Sequence, residues 1–209
     1  VRVCVAGGCD TIRLAKTESA KDVHMLEEAI LAAEKEFHRE IGSTLIMAAI
    51  ESTKGLLNVV EICQASDRLF GVALSGGDYT RDLQTNISKS GVELMGARQQ
   101  IVIAARATGR MCFDTVYTDL DDMEGFRKDV EMIKQMGFDG KSIINPRQIP
   151  VCHEVFTPTE KQIRWAEAVV REIDTKKAMG IGVFQLNGKM LDIAFYDGAK
   201  RTIAMAKAA

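Results

Sequence analysis

Apolar, β-branched runs alternate with amphipathic stretches of helical period almost without interruption as far as residue 146. Strand-like runs occupy residues 1–3, 11–14, 45–50, 69–74, 111–117 and 141–144. Between them, residues 20–36 place Val23, Leu26, Ile30 and Ala33 on one helical face, and residues 56–63, 92–107 and 123–136 behave similarly. Strand then helix, repeated with short links, predicts a parallel α/β fold. Six strands are two short of the eight that close a β/α barrel.

After Pro146 the alternation stops. Pro158 before Thr159-Glu160 marks a helix start, and that helix is expected to run to about residue 177. Gly180 and Gly182 break it, residues 183–186 are extended, and Asn187-Gly188 makes a hairpin turn. A last helix is expected over about residues 192–206. This tail reads as a small lid or a subunit-exchange element.

With 209 residues the chain can bury one substantial core. Hydrophobic content of 46% and charged content of 27% are those of an ordinary globular protein. Lys plus Arg is 27 against 29 for Asp plus Glu, so nothing favours a polyanion, and neither nucleic acid nor anionic lipid is an expected partner. No stretch approaches the ~20 apolar residues of a membrane span, and no signal peptide is visible. The five cysteines form no CxxC pair and mostly sit in apolar contexts, as buried thiols in a reducing compartment do, which makes the cytoplasm the expected location.

Two apolar runs end abruptly in acid. Glu51 closes Ala48-Ala49-Ile50-Glu51-Ser52, and Asp78 closes Leu74-Ser75-Gly76-Gly77-Asp78-Tyr79. Each should emerge at the top of its strand, on adjacent strands, where a β/α barrel places its chemistry. Such carboxylates often cap the next helix; as a pair they also form half of a site for a hard divalent cation. Gly76 and Gly77 lack Cβ atoms, so their amides can approach an anion closely, or they simply permit a tight turn. Arg2, in Val1-Arg2-Val3, has the fork that suits bidentate recognition of a carboxylate, and could equally be a salt-bridged barrel arginine. Asp192 would ordinarily be read as a helix N-cap, and Lys16 as a surface charge. His24, His38, His153 and the cysteines have no motif context.

These segments, with Ile12-Arg13-Leu14-Ala15-Lys16-Thr17-Glu18, Phe113-Asp114-Thr115-Val116-Tyr117, Gly137-Phe138-Asp139-Gly140-Lys141-Ser142-Ile143-Ile144-Asn145-Pro146 and Leu186-Asn187-Gly188-Lys189-Met190-Leu191-Asp192, resemble the family of citrate lyase beta subunits and malyl-CoA and citramalyl-CoA lyases. The resemblance runs over nearly the whole chain, with the motifs in order. It implies a (β/α)8 TIM-type barrel over residues 1–150, without its first two strands and with a segment omitted between Val3 and Cys4. Residues 151–209 would be a helical lid or oligomerisation extension.

It further implies a retro-Claisen carbon–carbon lyase acting on citryl thioester, the alternatives being a malyl-CoA or citramalyl-CoA lyase and a non-catalytic scaffold barrel. Glu51 and Asp78 would hold Mg2+ or Mn2+. Arg2, Gly76 and Gly77 would bind the substrate's carboxylate and carbonyl oxygens, with Arg2 also catalytic. Asp192 would act as acid/base in a neighbouring subunit, and Lys16 and Asn145 would contact the thioester carrier, CoA or an acyl carrier protein. The implied partners are further copies in a homotrimer, a citrate lyase alpha subunit and an acyl carrier gamma subunit. The chain departs from the family at Gly77, where several relatives carry an acid, and at Ala15, where they usually carry proline.

Overall fold

The computed structural model describes residues 1–208, and its chain divides into two compact units, Val1–Ile149 and the residues from Pro150 onward. In the first unit the elements follow as α1 (Arg2–Ala6), β1 (Thr11–Leu14), α2 (Ala20–Glu36), β2 (Leu45–Ile50), α3 (Thr53–Leu57), α4 (Val59–Gln64), β3 (Leu69–Leu74), α5 (Gly76–Asp82), α6 (Met95–Thr108), β4 (Met111–Asp114), α7 (Met123–Met136) and β5 (Gly140–Lys141). All five strands are parallel, in the order β1-β2-β3-β4-β5. The central strands β2 and β3 are nearly continuous apolar runs, and most of their residues are buried.

The α/β expectation therefore holds, and the barrel expected to lack strands is not closed. Among the described residues the large sheet is open, with β1 and β5 as its edges. Residues 1–3 are also not a strand. Val1 leads straight into α1, which runs unbroken across Val3 and Cys4, where the family pattern leads one to expect an omitted segment. The helix stops in a Schellman turn: Cys9 N donates to Cys4 O at 3.1 Å and Gly8 N to Val5 O at 3.0 Å, with Gly8 left-handed at φ 78°. Buried Val5 and an Arg2–Glu36 ion pair give this helix partners that a lone edge strand would lack.

Helix α2 shows how the sequence sets the local structure. The Asp22 carboxylate accepts from Ser19 N at 2.9 Å and Glu18 N at 3.0 Å, closing the first turn. Val23, Leu26, Ile30 and Ala33 then bury the face read from the sequence. Behind them, fully buried Glu34 takes both guanidinium nitrogens of Arg68, at 2.8 and 2.7 Å, and the amides of Gly42 and Thr44, each at 3.1 Å. It thereby fastens the loop that feeds β2.

The Arg68 hydrogen bonds hold the Glu34 carboxyl at about 2, below its ordinary 4.5, against the opposing cost of burial. The stabilisation from this carboxylate is complete above pH 4.5 and fades as pH falls toward 2. Glu34→Gln should remove that part of the acid slope, on the order of 3 kcal/mol, from urea unfolding measured across this range. An unchanged slope would show that the clasp contributes nothing to acid stability.

A second charged group lies between α6, α7 and the β4–β5 pair. Arg98 Nε and Nη2 bond the two Asp114 oxygens, each at 2.9 Å, and Nη2 also reaches Asp129 at 3.0 Å. Lys141 Nζ bonds Asp114 at 2.7 Å and Asp129 at 2.6 Å. Arg98, Asp114 and Lys141 are essentially without solvent contact, so two cations and two carboxylates neutralise each other inside the fold.

The second unit contains α9 (Glu160–Ala178), β6 (Val183–Leu186), β7 (Lys189–Asp192) and α10 (Ala194–Ala208); α8 (Gln148–Phe156) precedes them. Thr159 and Gln162 form a capping box at the start of α9. β6 and β7 pair antiparallel through Asn187 and Gly188, both left-handed at φ 48° and 79°, as a two-residue hairpin turn requires. Ala166, Val169, Ile173, Leu191 and Ala199 form its core, with Trp165 and Phe184 packed against them. Among the described residues no helix is long and apolar enough to cross a membrane.

Candidate active site

Because β1, β2 and β3 are parallel, the residues that follow them emerge on one side of the sheet. Lys16 and Glu18 follow β1, Glu51 and Ser52 follow β2, and Asp78, Arg81, Asp82 and Gln84 follow β3; together they line a polar pocket of about 370 Å³. The loops are fastened to one another in series. Ser52 Oγ donates to Glu18 Oε1 at 2.9 Å and Lys54 pairs with Glu18 at 3.1 Å. Asn58 Nδ2 donates to the Glu18 carbonyl at 2.8 Å, and Thr53 donates through both N and Oγ1 to Asp82, each at 2.7 Å. Gly76 N donates to Thr115 Oγ1 at 2.8 Å.

Three of the four pocket carboxylates are thus engaged within the protein. The Lys54 and Ser52 bonds lower the pKa of Glu18, and the Thr53 hydroxyl and amide lower that of Asp82. Asp78, half-exposed in the first turn of α5, pairs with Arg81 at 2.6 Å. Glu51 differs: it is only 9% exposed, and among the described residues its carboxylate has neither a hydrogen bond nor an ion pair. Its carboxylate therefore meets the pocket with no protein group among the described residues competing for its oxygens.

A divalent cation fits this arrangement. Among the described residues no three His, Cys, Asp or Glu side chains converge as a complete metal cage. Two carboxylates that leave the remaining positions to water and ligand oxygens suit Mg2+, which dehydrates reluctantly. Lys16, left-handed at φ 50°, is the pocket cation without a carboxylate partner among the described residues and is free to meet an anion.

Of the residues singled out in the sequence, Glu51, Asp78 and Lys16 are brought together; the others are not. Arg2 is 70% exposed and forks onto Glu36, with Nε at 3.0 Å, at the C-terminal end of α2. That helix runs antiparallel to its flanking strands, so Arg2 stands where the strands begin, away from Glu51. The amide of Gly76 is already spent on Thr115, whose side-chain atoms would lie 3.0 Å from a Cβ placed there; glycine is needed for this contact between strand ends. Gly77 faces open space. Asn145 Oδ1 accepts from Arg147 N at 2.9 Å, inside a turn held by Gln148, outside the pocket lining. Asp192 belongs to the second unit, where its Oδ1 accepts from Ala194 N at 2.9 Å.

Sequence reading overlooked Glu18, Ser52, Arg81, Asp82 and Gln84. One signal was present: Arg81 and Asp82 stand three and four residues after Asp78, on the same helical face.

The fold and pocket define a parallel α/β protein with a carboxylate pair and a free lysine at the C-terminal ends of its strands. Residues 1–146 match the family described as HpcH/HpaI aldolase/citrate lyase, and the chain belongs to that family. It is 49% identical, over 208 residues, to the citrate lyase subunit beta of Leuconostoc mesenteroides subsp. cremoris, covering 100% of this chain and 69% of that protein. Its kinship is thus with carbon–carbon lyases.

Among solved structures it is similar to CitE from Mycobacterium tuberculosis in complex with magnesium, acetoacetate and coenzyme A. That similarity has a TM-score of 0.70 and 26% identity, over 95% of this chain and 68% of that one. It is also similar to a citrate lyase beta subunit from M. tuberculosis complexed with oxaloacetate and magnesium, with a TM-score of 0.59 and 28% identity, over 71% of this chain and 62% of that one.

Proposed function

We propose that this chain cleaves a citryl thioester into oxaloacetate and an acetyl thioester, as the beta subunit of a citrate lyase. The observation that carries the reading is the unpartnered carboxylate of Glu51, in the same pocket lining as Asp78, in a chain with this kinship. Glu51 and Asp78 would hold Mg2+, or Mn2+ in its place. When bound, the ion supplies Lewis acidity to the hydroxyl and carboxylate oxygens of the substrate.

The chain's own residues do the rest. Lys16 draws the anionic substrate into the pocket, and the loops fixed by Glu18 and Asp82 keep the two carboxylates from drifting, so little reorganisation accompanies binding. Asp192 of a neighbouring subunit takes the proton of the substrate hydroxyl, the carbon–carbon bond breaks to leave the keto group of oxaloacetate, and the bond's electron pair passes to the thioester as an enolate. The same Asp192 returns the proton to the enolate carbon.

In this reading the open sheet is part of a barrel, the residues from 151 are a lid or oligomerisation extension that serves a neighbouring subunit, and the assembly is a homotrimer. The thioester is carried on CoA or on the acyl carrier gamma subunit, an alpha subunit supplies the citryl group, and the complex works in the cytoplasm. The roles of Arg2, Gly76, Gly77 and Asn145 toward substrate and carrier rest on the family resemblance alone.

The test is to incubate the protein with Mg2+ and, in parallel, citryl-CoA, malyl-CoA and citramalyl-CoA. Oxaloacetate from citryl-CoA, abolished by a chelator and restored by Mg2+, is the expected result. Preferential release of glyoxylate from malyl-CoA or pyruvate from citramalyl-CoA would overturn the assignment, and silence on all three would favour a scaffold.

A further inference from the structure

Arg81 occupies a position that the proposed reaction does not explain. Its guanidinium lies 2.6 Å from Asp78 Oδ1, yet the side chain is 73% exposed. It also stands on the wall between two cavities. One is the pocket of Glu51 and Asp78; the other is a groove of about 560 Å³ bordered by Gly77, Gln84, Thr85, Asn86 and Ile87, with no carboxylate in its lining. Arg81 is therefore a cation with an acidic partner on one side and polar, acid-free space on the other.

Resting on the metal assignment made above, we infer that Arg81 is the resident counter-cation of the site: it holds Asp78 until a divalent ion displaces it, and the freed guanidinium then binds a carboxylate of the oxo-acid. Both cations compete for the one Asp78 carboxylate, whose Oδ1 Arg81 already holds, and two cations sharing one carboxylate at contact distance repel each other. Displacement costs little because the pair is exposed. Once released, the side chain still borders the groove, where Gln84, Thr85 and Asn86 offer polar company and no competing acid. Its fork then matches a planar carboxylate. The same side chain thus couples the two ligands: by linkage, whatever favours the ion also favours the anion.

Mn2+ binding, followed by the electron paramagnetic resonance of the free ion without substrate, separates this idea from simple charge. Arg81→Gln and Lys54→Gln each remove one positive charge near the pocket, but Lys54 pairs with Glu18 and makes no contact with Asp78. Arg81→Gln should bind Mn2+ about three- to tenfold more tightly than wild type, and Lys54→Gln less than about twofold. The Mn2+-loaded Arg81→Gln protein should in turn bind oxalate at least about fivefold more weakly than wild type. Unchanged or weaker Mn2+ binding in Arg81→Gln, equal tightening in both variants, or undiminished oxalate binding would overturn the proposal. Absence of Mn2+ binding in wild type would instead overturn the assignment of Glu51 and Asp78, and is read before any variant is compared.

Discussion

Glu51→Gln is expected to lower kcat/KM for citryl-CoA cleavage by about 100- to 1000-fold while leaving the fold intact. The magnitude is that of removing one group that stabilises developing charge in a preorganised site. The intact fold follows from the isolation of this side chain. Among the described residues no hydrogen bond or ion pair of Glu51 is lost, and the amide has nearly the same shape. The same substitution should abolish the stabilisation that Mg2+ gives wild type, because an ion that binds the folded chain raises its unfolding temperature by mass action. Wild-type turnover in Glu51→Gln, with the Mg2+ shift retained, would refute the metal assignment.

Asp114→Ala should be the most destabilising single change in the first unit, at about 3–5 kcal/mol. It strips Arg98 of its bidentate partner and leaves Lys141 sharing Asp129 with Arg98, both cations remaining buried. In a unit of this size the loss corresponds to a fall on the order of 10 °C in unfolding temperature. Asp114→Asn keeps the shape and part of the hydrogen bonding, so it should fall between wild type and the alanine variant. Urea unfolding with an unchanged m value provides the measurement. A loss below about 1 kcal/mol in Asp114→Ala would mean that the cluster is hydrated and weak rather than buried and mutually dependent.

The sequence was most legible where one physical demand dominates. The bounds of β1, β2, β3, α2 and α7 match their apolar periodicity residue for residue, because burial alone decides them. Polar side chains account for several differences. The helix expected over residues 56–63 is two helices divided at Asn58, whose side chain reaches the Glu18 carbonyl. The strand expected over 111–117 stops at Asp114, held by Arg98 and Lys141, and Thr115 then turns to Gly76.

α8 was not anticipated, since its nine residues carry no clear apolar stripe. In the site, Glu51, Asp78 and Lys16 were readable because each directly follows a strand. The displacement of Arg2 was not readable, because whether Val1-Arg2-Val3 extends or coils depends on whether a neighbouring strand pairs with it, a non-local condition. Gly76 shows the same limit: its amide points to Thr115, which lies 39 residues further along the chain.

The serial fastening of the strand-end loops also bears on how such a protein can diverge. Glu18 binds Ser52 and Lys54, Asp82 binds Thr53, and Thr115 binds Gly76, so lengthening any one of these loops would misplace a partner on the next. The segment over residues 83–91 is different: its hydrogen bonds stay within residues 79–94, and most of its side chains face solvent. It borders the groove beside Arg81 without anchoring either Glu51 or Asp78. Insertions, deletions and changes of side chain can therefore accumulate there while the catalytic frame stays fixed, making this segment the part of the chain on which a change of acyl substrate can be written.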